Sequence, residues 1–221
     1  MESKTAIVFG ATGLIGKSLI KELILSEDYL TINVFVRNKT DYSGNGKVKE
    51  FVIDFNRLSE YSGLITGDDV YICLGTTIKK AGSVSRMEEI DRDLPVMIGS
   101  IASANGVKKL AVVSSLGADS GSSNYYLRIK GEMEKRIMNL NFETIAVARP
   151  SLLLGEREEK RTGEVVGKVL AKVFGVFLSG KLLKYKGIEG KAVAKAMIRI
   201  LKEKEGKEIF ESDKLQKLSD Y

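Results

Sequence analysis

The sequence has no histidine and no tryptophan, and only one cysteine and two prolines among its 221 residues. Each shortage excludes something. Without imidazole there is no Ser-His relay and no histidine metal ligand. A zinc site built from one thiol and carboxylates alone would be unusual, so no metal is expected. Cys73 has no second cysteine to pair with, which rules out an internal disulfide and suits a reducing compartment. No apolar run is long enough to span a bilayer, and "VVGKVLAKVFGVFL" carries Lys168 and Lys172 inside it. Nothing resembling a secretory leader precedes the strand-like "TAIVFG". These shortages predict a cytoplasmic protein without a membrane partner, whose acid–base chemistry must fall to Tyr, Lys, Asp or Glu.

Hydrophobic residues make up 43% of the chain and charged residues 29%, which suits one packed domain over residues 1–221. Residues 151–221 read as its smaller, substrate-side part. The formal charge is +6, and most of the excess lies after Ser151. Signs alternate there, as in "KEKEGKE", and neither a run of like charge nor aromatic interleaving accompanies the bias. A nucleic-acid partner is therefore not expected.

Apolar runs alternate with helical periodicity. "TAIVFG", "TINVFVR", "VKEFVIDF", "DDVYICLG", "KKLAVVSS" and "FETIAVARP" read as strands. Between them lie helical patterns at 14–25, at "SRMEEIDRDLPVMIGSIASANG" and at "NYYLRIKGEMEKRIMNL". Pro95 should kink or break the second of these, and Gly106 should stop it. After Pro150 two more helices are expected, "TGEVVGKVLAKVFGVF" and "GKAVAKAMIRILKEKEG", packed over one end of the sheet as a small C-terminal cap. Strand–helix alternation with Val/Ile-rich strands predicts an α/β, Rossmann-type doubly wound parallel sheet with helices on both faces.

The first strand runs into "VFGATGLIGKSLI", with Gly10, Gly13 and Gly16 three apart where strand becomes helix. Gly10 permits a tight turn, Gly13 allows backbone N–H groups to approach a pyrophosphate, and Gly16 lets helix and strand pack closely. Thr12, Leu14 and Ile15 complete this turn, and the helix N-terminus adds partial positive charge. At the end of the second strand, NAD-preferring sites place an acidic residue; here it is Arg37, which suits a 2′-phosphate. The alternative is an exposed strand-end arginine. Asp54, beside Phe55, is placed to accept from an adenine amino group or, equally, to cap the following helix.

The strand "KKLAVVSS" ends in Ser114 and Ser115, at the edge where ligands bind in such sheets. Tyr126 and Lys130 lie four apart on the next helix and share a face. A phenol ordinarily ionises near pH 10, and a neighbouring ammonium or positive nicotinamide ring favours the phenolate. Ser115 would hold a substrate oxygen while Tyr126 passes a proton to or from it. Tyr125 is five from Lys130 and reads as a packing or substrate-wall residue. The bland alternative is serines that finish a strand and a solvated lysine.

"CLGTTIKKAG" (73–82), "IDRD" (90–93), "SSLGADSGSSNYYLRIKGEME" and "ARPSLLLGEREEKRTGE" resemble the Tat-interactive protein 2 family, within the atypical short-chain dehydrogenases/reductases. The resemblance runs from the first strand to about Arg199. It implies NADP(H), with NAD(H) second, in the cleft. It also implies that Leu74 is among the cofactor-binding residues, that Gly75 and Thr76 line the nicotinamide ribose and that Arg149, Pro150 and Ser151 flank the ring. Ser115, Tyr126 and Lys130 map onto the superfamily's catalytic positions. One departure is Asp91, where classical members of the superfamily carry Asn in the helix before the serine strand. The family implies an oxidoreductase acting on a small carbonyl or alcohol. Its animal members, known as regulators, imply instead an NADP(H)-sensing protein with a protein partner, monomeric or a homodimer.

Overall fold

A computed structural model describes residues 3–155 and 180–220. Six strands come in the expected order: β1 Lys4–Phe9, β2 Tyr29–Val36, β3 Val48–Val52, β4 Asp69–Ile72, β5 Lys109–Val113 and β6 Thr144–Arg149. A short parallel pair follows, β7 Leu153–Leu154 with β8 Ile188–Glu189, and β9 Gly206–Glu211 ends the strand list. The main sheet runs β3-β2-β1-β4-β5-β6-β9, and every pairing in it is parallel. From β1 the chain winds outward to β3, then returns to β4 on the other side of β1. The order therefore reverses between β1 and β4, and ligands of such sheets sit at the carboxyl ends of the strands at that point.

Both faces of the sheet's centre are covered, which is why its inner strands, β2, β1, β4, β5 and β6, read as largely apolar runs. Ala6 and Val8 point to one face, packing with Leu19 and Leu23 of helix α1 (Leu14–Leu25). Ile7 and Phe9 point to the other, packing with Ile98 and Ile137. Phe9, Phe35 and Phe51, which share a register across β1, β2 and β3, stack with centroids 4.7 and 5.0 Å apart. Each such buried side chain contributes about 1.5–3 kcal/mol.

The long helical pattern before β5 is divided. α2 (Ile78–Ala81) and α3 (Val84–Glu88) are short, each capped by the side chain before it, Thr77 and Ser83. A π-helical turn, Glu89–Asp93, then leads into α4 (Leu94–Ala104). Pro95 brings no N–H to the ladder, and the turn before it is the widened one. Gly106 ends the element with φ +81°, as its sequence position predicts. α5 (Tyr125–Met138) starts at Asn124, whose side chain accepts from the Leu127 N–H.

The helix expected from "TGEVVGKVLAKVFGVF" lies outside the described residues. The next one is present as α6 (Gly190–Glu203), which lies along the α1 face of the sheet through Val193, Met197 and Ile200. It is a crossover helix: it delivers the chain to β9, a seventh strand that sequence periodicity did not predict, before α7 (Ser212–Ser219).

Candidate active site

The three glycines of the first turn have different reasons to be glycine. Gly10 adopts φ +83°, and a Cβ there would stand 2.5 Å from the Cys73 carbonyl oxygen. A Cβ on Gly16 would stand 2.0 Å from the Gly10 oxygen, so α1 lies against the turn only without one. Gly13 is unlike both. Its φ is −75°, and its nearest neighbour to an added Cβ is the Gly10 oxygen at 3.4 Å, an ordinary contact. The fold therefore demands Gly10 and Gly16, while Gly13 is exposed and a Cβ there would meet only ordinary contacts, so packing does not account for it and a close approach of a pyrophosphate to the backbone would. Gly13 caps α1 with no side-chain hydrogen bond, and no acidic residue stands in the first turn. The helix start keeps its unpaired N–H groups and positive end for an anion. Thr12 is exposed beside it; Ile15 is buried, and Leu14 packs under Gly155 and Gly190.

Toward the ends of β2 and β3, Arg37 is exposed and forms no ion pair among the described residues. Asp54 accepts from the Asn56 N–H at 2.9 Å and so does cap the following 3-10 segment. Phe55 meets Phe9 edge-on at 6.2 Å. Tyr42, which sequence reasoning did not single out, donates to the Ala11 carbonyl at 3.3 Å and ties the β2–β3 connection to the glycine turn.

The carboxyl ends of β4 and β5 hold the polar groups. Lys130 is 2% exposed at its side chain, and its Nζ lies 2.8 Å from Asp91 Oδ1, itself fully buried in the π-helical turn. Nζ also reaches the Val113 carbonyl at 3.5 Å. Burial opposes the charge on Lys130, but the Asp91 carboxylate, Tyr126 and Glu134 together more than offset it, so its pKa lies above the ordinary lysine value. The other Asp91 oxygen accepts from the Thr76 N–H at 3.0 Å, so one carboxylate joins α5 to the Gly75–Thr76 loop. Tyr126 is half-buried above Lys130, within electrostatic reach of its amine. Ser114 is 4% exposed and its Oγ has no partner among the described residues; Ser115 is half-buried and its Oγ only approaches the Leu116 carbonyl at 3.4 Å. Tyr125 turns away, as its spacing predicts. Its buried hydroxyl stands near Glu88 without a well-aligned hydrogen bond, and its ring lies 5.2 Å from Arg128.

On the far wall, Arg149 forms a two-pronged ion pair with Glu134, at 2.8 and 2.5 Å. Its guanidinium is engaged from α5, leaving backbone as the surface that the β6 end presents. Pro150 is buried and its carbonyl accepts from the Leu116 N–H at 3.0 Å. Ser151 is tied to Ser212 at 2.9 Å and to the Lys186 carbonyl, which joins the chain just after β6 to the start of α7 and to the residues before β8. Gly131 was also missed: a Cβ there would lie 2.2 Å from the Ser120 nitrogen, so the loop after Ser115 rests on α5 at this point. Cys73 is half-buried, and burial pushes its thiol up to about 12, out of range of thiolate chemistry.

A glycine turn between strand and helix, at the reversal point of a parallel sheet, has counterparts among known proteins. Residues 10–204 match the family described as NAD(P)H-binding. Protein HTATIP2 of Rattus norvegicus is 36% identical over 178 residues, 79% of this chain and 72% of that protein. The chain belongs to this NAD(P)H-binding family, as an atypical short-chain dehydrogenase/reductase related to HTATIP2. Protein FMP52, mitochondrial, of Candida albicans is 32% identical over 201 residues, 88% of this chain and 86% of that one. Among solved structures, a Bacillus halodurans protein assigned as an NAD-dependent epimerase/dehydratase superposes with a TM-score of 0.69 at 19% identity, over 97% of this chain and 99% of that one. A UDP-N-acetylglucosamine 4-epimerase from Methanobrevibacter ruminantium M1 gives 0.68 at 15% identity, over 96% of this chain and 77% of that one. At these identities the likeness is one of fold. No helix among the described residues is long and apolar enough to cross a membrane.

Proposed function

We propose that the protein is an NADP(H)-dependent oxidoreductase that interconverts a small carbonyl compound and its alcohol. The observation that carries the reading is the half-buried Tyr126 above a buried, charge-compensated Lys130, at the same sheet edge as the open Gly13 turn. The bound dinucleotide supplies or accepts hydride. Tyr126 then gives its proton to the substrate oxygen in the reducing direction and takes it back in the other, while Ser115 holds that oxygen in place. The charge on Lys130 favours the phenolate left behind. An ammonium has three donors; Lys130 is ion-paired with Asp91 and reaches the Val113 carbonyl, and a remaining donor would hold a ribose hydroxyl of the bound dinucleotide. Gly75 and Thr76, fixed by Asp91, form the ribose wall. The setting is the cytoplasm, and the substrate is a small molecule.

The test is a screen of NADPH consumption over aldehydes, ketones and quinones. Consumption with at least one class supports the reading. A protein that binds NADPH tightly and consumes none of it would instead be a nucleotide sensor working through a protein partner.

Cofactor choice rests on Arg37, which is exposed, unpaired among the described residues and set at the end of β2. NADP(H) should bind more tightly than NAD(H). In calorimetry, Arg37→Ala should weaken NADP(H) by about 1.5–3 kcal/mol, the range for a lost hydrogen bond to a charged group, and leave NAD(H) unchanged. Equal wild-type affinity for both cofactors would remove this role.

A further inference from the structure

We propose that Asp91 is a positioning residue that keeps Lys130 charged and fixed against the Gly75–Thr76 wall, so that the cofactor-side lysine and the ribose wall move as one unit. The proposal rests on the oxidoreductase reading only for what that unit serves; the pair itself stands on the geometry.

Asp91 lies in the π-helical turn between α3 and α4, and its side chain is completely buried. A lone carboxylate there would be prohibitively costly, and so would a lone ammonium at Lys130. The two compensate each other's charge as an ion pair at 2.8 Å, although Asp91 Oδ1 accepts no well-aligned hydrogen bond among the described residues. Asp91 also accepts from the backbone N–H of Thr76 at 3.0 Å, and a Cβ on Gly75 would stand 3.5 Å from Asp91 Oδ1. A single carboxylate therefore touches the lysine and the wall from a third element. An Asn at this place could satisfy the Thr76 N–H but could not compensate the ammonium. The charged groups facing the Lys130 amine are Asp91 from the π-helical turn and Tyr126 and Glu134 from α5. Glu134 is committed to Arg149 at 2.8 Å, which leaves Asp91 as the carboxylate that can hold the amine ionised.

In the wild type, Lys130 has a raised folded pKa. Its contribution to stability is therefore complete below the unfolded lysine value and does not vary between about pH 6 and 9. In Asp91→Asn, burial remains and its main compensation is gone, so the folded pKa falls below the unfolded value. The folded state then binds fewer protons than the unfolded one, and stability rises with pH.

The experiment measures thermal unfolding of the cofactor-free wild type, Asp91→Asn and the Asp91→Asn/Lys130→Met double variant from pH 6 to 9. The melting deficit of Asp91→Asn relative to the wild type should be largest at pH 6 and shrink toward pH 9. The double variant, with no buried charge to protect, should show a deficit that does not change with pH. A deficit of Asp91→Asn that is constant across the range overturns the proposal. So does a double variant that follows the same pH dependence as the single one. Calorimetry with NADPH then reads the link to the wall. Asp91→Asn should bind within about threefold of the wild type at pH 6 and roughly tenfold or more weaker at pH 9, as Lys130 loses its charge. The same loss should appear in a Tyr126→Phe background, which excludes the phenol as its source. Affinity that follows the wild type at every pH would separate Asp91 from the cofactor site. Neither measurement requires turnover, so an absence of oxidoreductase activity would leave this result standing and overturn only the function proposed above.

Discussion

Tyr126→Phe should leave the fold and the affinity for NADP(H) intact while lowering turnover by roughly a hundredfold or more, the contribution expected of a positioned general acid–base. The hydroxyl is all that the substitution removes, and it makes no hydrogen bond among the described residues, so its loss breaks nothing in the structure. Steady-state rates and calorimetry on the same preparation provide the check. Equal rates for wild type and variant would mean that Tyr126 and Lys130 merely share a helix face. Lys130→Ala behaves differently, because it does two things at once. It removes the cation that favours the phenolate, and it leaves the buried Asp91 carboxylate without its partner. Breaking such a pair costs about 3–5 kcal/mol, so binding, turnover and stability should all fall. Lys130→Met combined with Asp91→Asn removes the charge without stranding a buried one, and is the cleaner variant. Raising the pH should restore part of its rate, since hydroxide then ionises the phenol, and should do nothing for Tyr126→Phe.

The second large effect divides the glycines. Gly16→Ala should fail to fold or lose most of its stability. Its methyl would stand 2.0 Å from a backbone oxygen that has no room to retreat, and overpacking of that kind exceeds about 3 kcal/mol in a domain with about 5–15 to lose. Gly13→Ala should fold normally, because the new methyl meets only an ordinary contact at 3.4 Å. It stands where backbone and pyrophosphate must come together, so NADP(H) affinity should drop by roughly tenfold or more. Circular dichroism melts beside calorimetry separate the two outcomes. If Gly13→Ala binds the cofactor as the wild type does, the pyrophosphate does not lie on this turn.

How far the sequence could be read follows from what kind of physics fixes each part. The five central strands, β2, β1, β4, β5 and β6, were legible because burial on both faces makes them largely apolar, and Gly10 to Gly16 because a turn that tight has few alternatives. β9 was not. Of Gly206–Glu211 only Phe210 is buried, so an edge strand of alternating charge resembles the end of the helix before it. The π-helical turn was visible only as an expected break at Pro95, since no residue pattern separates a widened turn from a kink. Spacing brought Tyr126 and Lys130 together, but it could not show what neutralises Lys130. Asp91 is 39 residues away and meets it only through the packing of α5 against the π-helical turn. The same holds for Glu134 and Arg149, which are joined by the pairing of a helix with a strand end. Asp54 carried two readings in the sequence, and the structure shows the cap.

The central claim is that hydride passes between a nicotinamide cofactor and a carbonyl carbon beside Tyr126. Its most direct measurement is the mass of the alcohol formed when NADPH deuterated at both C4 positions is supplied with a carbonyl compound identified by the screen. One carbon-bound deuterium per molecule of product is expected from the wild type, whichever face of the ring delivers it, and the same label at a much lower rate from Tyr126→Phe. Product without deuterium, or a bound cofactor that no carbonyl compound ever oxidises, would contradict the account.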